Sequence, residues 1–188
     1  MVKAVRIHGH GGPETMRWEE VALAPPGAGE ARVRPTKIGG NFSDVNVRRG
    51  GFYPTRPAQM PLILGNEAAG VVVAVGAGVT DVKPGDRVAY AGMHGSFYSH
   101  TGAYAEERNV PADRLVQVPD GVSDEAAGSM MVKGLTAALI VNRIHRPQAG
   151  EPVLVHDAAS GVGSLLAQWS KHLGATVIGT AVSPEKAA

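Results

Sequence analysis

Glu151-Pro152-Val153-Leu154-Val155-His156-Asp157-Ala158-Ala159-Ser160-Gly161-Val162-Gly163 opens the stretch that decides the fold, and Gly174-Ala175-Thr176-Val177-Ile178-Gly179-Thr180 closes it. Val153, Leu154 and Val155 form a short continuous apolar run, which predicts a strand buried on both faces of a parallel sheet. Small residues fill Ala158 to Gly163, and Val162, Leu165, Leu166, Trp169 and Leu173 then recur at helical spacing. Gly174 stands where a left-handed C-cap belongs, and Ala175 to Gly179 reads as a second apolar strand. Strand, glycine-rich turn, helix, strand is the opening of a dinucleotide-binding fold.

On the G-x-G-x-x-G fingerprint this chain offers Ala158, Ser160 and Gly163, so the third glycine alone is kept. Ala and Ser are the smallest replacements and leave room for a pyrophosphate at the helix N-terminus, while Gly163 lets helix and strand pack closely. A tight turn between strand and helix asks for small residues in any α/β protein, so the turn alone also reads as purely structural. The end of the second strand sharpens the choice. No carboxylate follows Gly179-Thr180-Ala181-Val182-Ser183 until Glu185, and Lys186 comes next. An NAD site places an acid there for the ribose hydroxyl, whereas hydroxyls and a lysine suit a 2′-phosphate. The plainer reading is a solvated loop with Ser183 as N-cap, Pro184 at N1 and Lys186 in water. Both readings can hold together, and the expected cofactor is NADPH.

The chain has 188 residues, 44% of them hydrophobic, with a net charge of +1. That length supports one full domain and part of another, and the charge gives no reason to expect nucleic acid or an anionic membrane. Met1 to Met16 carries charges, histidines and glycines rather than an apolar core, so no signal peptide is expected. No apolar run reaches the length of a membrane span. The absence of cysteine excludes disulfides and thiolate metal sites. The expected compartment is the cytoplasm.

Residues 1 to 118 read as β structure, with strands at Lys3–Ile7, Trp18–Leu23, Glu30–Ile38, Ala68–Val75, Arg87–Tyr90, Ala103–Val110 and Leu115–Val118. In Glu30–Ile38, Glu30, Arg32 and Arg34 alternate with Ala31 and Val33, the half-buried pattern. Short strands between Gly/Pro turns predict a small, partly open barrel. The period changes at Ser123, with Asp124 and Glu125 in a first helical turn, and Gly134 divides this helix from a second one ending near Ile144. The expected organisation is a barrel over 1–122, linking helices over 123–150 and the start of a cofactor domain over 151–188.

Further segments join the glycine turn: Ile38-Gly39-Gly40-Asn41-Phe42-Ser43-Asp44, Gly51-Phe52-Tyr53-Pro54, Gly65-Asn66-Glu67-Ala68-Ala69-Gly70, Lys83-Pro84-Gly85-Asp86-Arg87-Val88, Gly102-Ala103-Tyr104-Ala105-Glu106 and Lys133-Gly134-Leu135-Thr136-Ala137. Together they resemble the zinc-independent NADPH:quinone oxidoreductases, the zeta-crystallin-like branch of the medium-chain dehydrogenase/reductase superfamily. The resemblance runs along nearly the whole chain in one order. It implies an α/β plus β fold: a GroES-like, partly open β-barrel followed by the first βαβ unit of an incomplete Rossmann domain.

The resemblance also implies roles. Asn41 and Asp44 lie near the nicotinamide side of a cleft, Tyr53 lines the substrate site with Asn41 as its helper, and Lys133 and Thr136 approach the nicotinamide end. Ser160, Gly161, Val162 and Gly163 cradle the pyrophosphate, while Gly179, Thr180, Ser183 and Lys186 hold the adenosine phosphate. Residue by residue the plainer alternatives are turn positions for Asn41 and Asp44, a half-buried aromatic for Tyr53, a helix-surface hydroxyl for Thr136 and a solvated lysine for Lys133.

Zinc-dependent relatives carry a ligand in a Gly-His-Glu motif, where this chain has Gly65-Asn66-Glu67, so no metal site is expected. The loop Gly92 to Thr101 holds His94, Phe97, Tyr98 and His100, which read as exposed loop residues or as a lid over the substrate. Because the family's Rossmann domain continues further, the chain is expected to be a fragment of a longer reductase. The implied activity is hydride transfer from NADPH to a small-molecule quinone or enone, in a full-length form that is a homo-oligomer (a dimer). The alternatives are enoyl-thioester reduction or a non-catalytic, crystallin-like NADPH-binding protein.

Overall fold

The computed structural model describes the chain outside residues 51–59, 93–101 and 188. It divides into two compact units, Met1–Met131 and Val132–Ala188.

In the first unit, β1 (Val2–Ile7) pairs antiparallel with β2 (Met16–Val21) and with the short β4 (Leu62–Ile63). A second sheet has the order β7 (Arg108–Pro111), β3 (Glu30–Gly39), β5 (Glu67–Val75), β6 (Arg87–Ala91), β8 (Val116–Gln117). The sheets meet where the Val5 N–H donates to the Tyr104 carbonyl and the Glu106 N–H to that of Lys3, so the barrel is partly open, as expected. Alternation in β3 buries Ala31 and Val33 with Val72, Val88, Tyr90 and Val110, while Arg34 faces water beside Glu107. Pro35 is tolerated mid-strand because β7 pairs with β3 only at Glu30–Val33, leaving that edge free from Arg34 onward.

Three expectations for the first unit and its helices change. Residues 103–107 are not strand, because their N–H groups turn to other segments: Ala103 to Gly65, Tyr104 to Leu64 and Glu106 to Lys3. Residues 42–49, unassigned in the strand reading, form α1 (Phe42–Arg49). Its start and stop signals are all present: Asn41 as N-cap, Asp44 at N3, Arg48 and Arg49 in the last turn, and a left-handed Gly50 at φ +75°. Gly134 does not divide two helices. Helix α2 (Asp124–Leu139) runs through it and ends in a π-helical turn at Ile140–Ile144. One glycine inside a helix costs about 1 kcal/mol, too little by itself to break this helix. Ser123 caps α2 by accepting the Ala126 N–H, and Asp124 anchors it through Arg87 at 2.6 Å.

In the second unit, β9 (Pro152–Val155) and β10 (Thr176–Gly179) are parallel and flank α3 (Gly161–His172) in sequence. Gly174 adopts φ +88° and closes α3 by donating to the Lys171 carbonyl. A short α4 (Pro184–Ala187) follows Ser183, with Pro184 at its first position. The expectation that β9 is buried on both faces is corrected. Val155 is 6% exposed and Leu154 57%, because α3 packs against one face of the two-stranded sheet while Leu154 and Ile178 share the other.

Candidate functional site

The first unit concentrates buried polar groups where β3 passes into α1. Asp44, 4% exposed, sits at the third helical position and reaches back to accept the Asn41 N–H at 2.9 Å. The Asn41 carbonyl accepts the Asp44 N–H in return at 3.0 Å. Asn66 donates to the other Asp44 oxygen at 2.7 Å and to the Ser43 hydroxyl at 3.1 Å. Tyr104 donates to Asp44 Oδ2 at 3.0 Å. The Asn41 side-chain amide donates to Glu67 Oε1 at 2.8 Å, and Glu67 is fully buried at the start of β5. Gly39 makes this possible, since a Cβ there would run into the Glu67 carboxylate and the Gly128 carbonyl of α2.

Burial pushes the Asp44 carboxyl above its ordinary range, against the pull of the Asn41 N–H, Tyr104 and Asn66, and the nearby charge of Glu67 pushes the same way as burial. Burial and the Asp44 charge push the Tyr104 phenol upward as well. Arg48, also buried, ties α1 to the loop after β1 by donating to the Gly11 carbonyl at 2.6 Å. Asn41 and Asp44 are therefore an N-cap and a helical residue, not surface turn positions. Tyr53 lies outside the described residues, as do His94, Phe97, Tyr98 and His100.

The second unit carries the glycine turn. Ser160 caps α3, its hydroxyl accepting the Gly163 N–H at 3.1 Å. Gly163 is buried, and a Cβ there would collide with the Asp157 carbonyl, so helix and strand approach as the third fingerprint glycine requires. The side chain of Lys133 lies against Gly161, its methylenes filling the room a Cβ would need. Val162 is half-buried. Thr136, exposed one turn further along α2, donates to the Val132 carbonyl at 2.8 Å.

At the end of β10, Gly179 rests on the Ala158 methyl, and the Thr180 hydroxyl accepts the Asp157 N–H at 3.1 Å. A hydrogen bond from Ser183 holds the Glu185 carboxyl below its ordinary range, and Lys186 is exposed beside it. The structure thus brings together Asn41 with Asp44, Lys133 with Gly161, Ser160 with Gly163, and Ser183 with Glu185. Glu67, Asn66 and Tyr104 complete the buried corner without having been singled out as site residues. All three stand in motif segments quoted from the sequence, but nothing in those segments marks which carboxylate the Tyr104 phenol meets.

The family model for the alcohol dehydrogenase GroES-like domain matches residues 27–120, half of the chain. The chain belongs to this family. Among curated relatives, a 2-haloacrylate reductase of Burkholderia sp is 42% identical over 189 residues, covering 100% of this chain and 55% of the relative. A quinone oxidoreductase of Pseudomonas aeruginosa is 43% identical over 187 residues, with the same shares of 100% and 55%. Among solved structures, a quinone oxidoreductase of Pseudomonas syringae pv. Tomato DC3000 superposes with a TM-score of 0.90 at 43% identity, over 100% of this chain and 55% of that one. The Escherichia coli quinone oxidoreductase complexed with NADPH gives 0.89 at 38% identity, over 98% and 54%. The chain spans about half the length of the curated relatives it matches. The likeness to quinone oxidoreductases read from the motifs is found again here, and the fold is their GroES-like domain with a partial Rossmann unit.

Proposed function

We propose that this chain is part of an NADPH-dependent oxidoreductase that delivers hydride to quinones or conjugated carbonyl compounds without a metal. The observation that carries the reading is the Ser160–Gly163 turn, where Gly163 lets α3 close on Asp157–Ala158 and Lys133 lies against Gly161. A capped helix start, small residues and a nearby lysine suit a dinucleotide diphosphate. In this reading Ser160, Gly161, Val162 and Gly163 hold the pyrophosphate, with Lys133 and Thr136 toward the nicotinamide end. Gly179, Thr180, Ser183 and Lys186 hold the adenosine phosphate. Asn41 and Asp44 stand on the nicotinamide side, and Tyr53 orients the acceptor.

NADPH, when bound, supplies the hydride. The protein's part is to position it, exclude water and offer hydrogen bonds to the acceptor oxygen. The donor set argues against zinc: the chain has no cysteine, and the Asn66 amide nitrogen is committed to Asp44 and Ser43. The name of the Burkholderia relative adds a conjugated, halogenated acid to the acceptors worth testing. No helix among the described residues is long and apolar enough to cross a membrane. A cytoplasmic enzyme, dimeric at full length, with domains over 1–122, 123–150 and 151–188, fits this reading.

The test is a fluorescence titration of the chain with NADPH and NADH, followed by NADPH oxidation with simple quinones and 2-haloacrylates in the full-length form. Tighter NADPH binding is expected. Equal affinity for the two cofactors, or no binding to the Ser160–Gly163 turn, would reject the assignment, and binding without turnover would favour a non-catalytic module.

A further inference from the structure

We infer that Tyr104 is a positioning residue for the Asn41–Asp44 corner: its hydroxyl fixes the Asp44 carboxylate in the orientation that pins Asn41. Its bearing on catalysis rests on the reading of that corner as the nicotinamide side. Three donors from separate segments converge on Asp44, namely the Asn41 N–H, the Asn66 amide and the Tyr104 hydroxyl. Two of them share Oδ2, with Asn41 at 2.9 Å and Tyr104 at 3.0 Å. Asn41 is thereby held twice, by its backbone to Asp44 and by its side chain to Glu67 at 2.8 Å.

Tyr104 is suited to hold a carboxylate still because it is itself fixed at both ends. Its N–H donates to the Leu64 carbonyl at 2.9 Å, and its own carbonyl accepts the Val5 N–H at 2.8 Å. Its ring packs on Gly65 at φ +98°, where any Cβ would strike it. Tyr104 also lines an open, largely apolar groove of about 500 Å³ with Val5, Trp18, Pro35 and Ile38. Among the described residues, the titratable groups facing Asp44 are Tyr104 and Glu67, with Asn41 and Asn66 as neutral donors. Glu67 repels Asp44, so without the phenol the carboxylate loses one of the donors that hold it against that repulsion.

Amide hydrogen exchange by NMR on the 188-residue chain tests this without cofactor. Tyr104→Phe should speed exchange of the Asn41 backbone amide by about tenfold or more, the ordinary worth of one hydrogen bond to a charged group. The β3–β5 ladder amides, and the buried Val72 amide that donates to the Asp86 carbonyl at 2.9 Å, should keep their protection. Unchanged Asn41 exchange, or equal loss across the β3–β5 ladder, would overturn the inference by making Tyr104 a packing residue. Should the variant not fold, the unmodified chain decides: a slowly exchanging Tyr104 hydroxyl proton is expected, and a freely exchanging one overturns the inference. NADPH added to the same samples separates the two proposals. Unmoved resonances at Ser160–Gly163 reject the cofactor reading and leave the Asn41 result standing.

Discussion

The Asn41–Asp44 corner and the Ser160–Gly163 turn, each proposed above to serve NADPH, are built in opposite ways. The corner is made of side-chain atoms: two buried carboxylates, two amides and a phenol, each in contact with the next. The turn is made of missing atoms: Gly163 leaves room for the Asp157 carbonyl and Gly161 for the stem of Lys133. The corner gains its rigidity from hydrogen bonds formed away from water, and the turn from close backbone approach. A change that removes atoms should therefore be ruinous in one and tolerable in the other.

The strongest test is Asp44→Ala. It strands the Asn66 amide, the Tyr104 hydroxyl and the Asn41 N–H in a buried site, which should cost about 3–5 kcal/mol in urea unfolding. A loss under about 1 kcal/mol would mean that water fills the gap. The pH dependence has a definite sign. Because the folded Asp44 carboxyl titrates above its unfolded value, its contribution to stability is complete below the unfolded pKa, near 3.8, and is lost as pH rises through the folded one. Asp44→Asn should flatten that part of the stability profile, and a profile identical to wild type would contradict the assignment.

Next in size is Lys186→Ala. Loss of a charge-assisted contact to a 2′-phosphate should weaken NADPH by about 1.5–3 kcal/mol, roughly one to two decades, and leave NADH unchanged. The bond between Ser183 and Glu185 places a carboxylate beside this lysine, so Glu185→Gln should shift NADPH affinity the opposite way. Equal effects on both cofactors would move the phosphate site elsewhere. Gly163→Ala comes third, adding atoms to the turn. Its methyl would force α3 away from Asp157, costing about 1–3 kcal/mol of stability, with NADPH binding weakened in parallel.

The same contrast explains what could be read from the chain before its structure. The turn was legible because its demands are local: Ser160, Gly163 and Gly174 stand at fixed offsets from an apolar strand and a helical stripe. Most β strands of the first unit were legible within a few residues at most ends; the two-residue β4 (Leu62–Ile63) was not read, and residues 103–107 were misread because their partners lie far off in sequence at Lys3, Leu64 and Gly65. Helix α1 escaped because apolar residues are few in it: Phe42, Val45 and Val47 give no stripe, and its cap signals looked like turn residues. Tyr104 escaped because nothing local marks a phenol that ends on a carboxylate 60 residues away. The exposed face of β9 could not be read from an apolar triplet, since burial on both faces needs neighbours that lie outside the triplet.

The smallest effect falls on Asp157, where the turn breaks its own rule. Asp157 is the one non-glycine residue at positive φ among the described residues, at +51°, and its Oδ1 is buried without a hydrogen-bond partner. Left-handed backbone costs a residue with a Cβ up to about 1–2 kcal/mol, less for Asp, and an unsatisfied buried oxygen costs about 1–3 kcal/mol. Asp157→Gly removes both penalties and adds back about 0.5–1 kcal/mol of chain entropy in the unfolded state. The contacts that shape the turn are untouched, because they use backbone atoms: the N–H to Thr180, and the carbonyl that accepts the Ser160 N–H at 2.9 Å. The net expectation is a gain of about 1 kcal/mol in urea unfolding, with Asp157→Ala gaining less because the positive φ remains. Removing a negative charge next to the proposed diphosphate should also tighten NADPH a few-fold at low salt, and the gain should shrink as salt is raised. Asp44→Ala and Asp157→Gly then bracket the comparison, since each deletes a carboxylate and the two should move stability in opposite directions. A destabilised Asp157→Gly would show that its carboxylate holds part of the turn in place, and that the turn depends on side-chain atoms as the corner does.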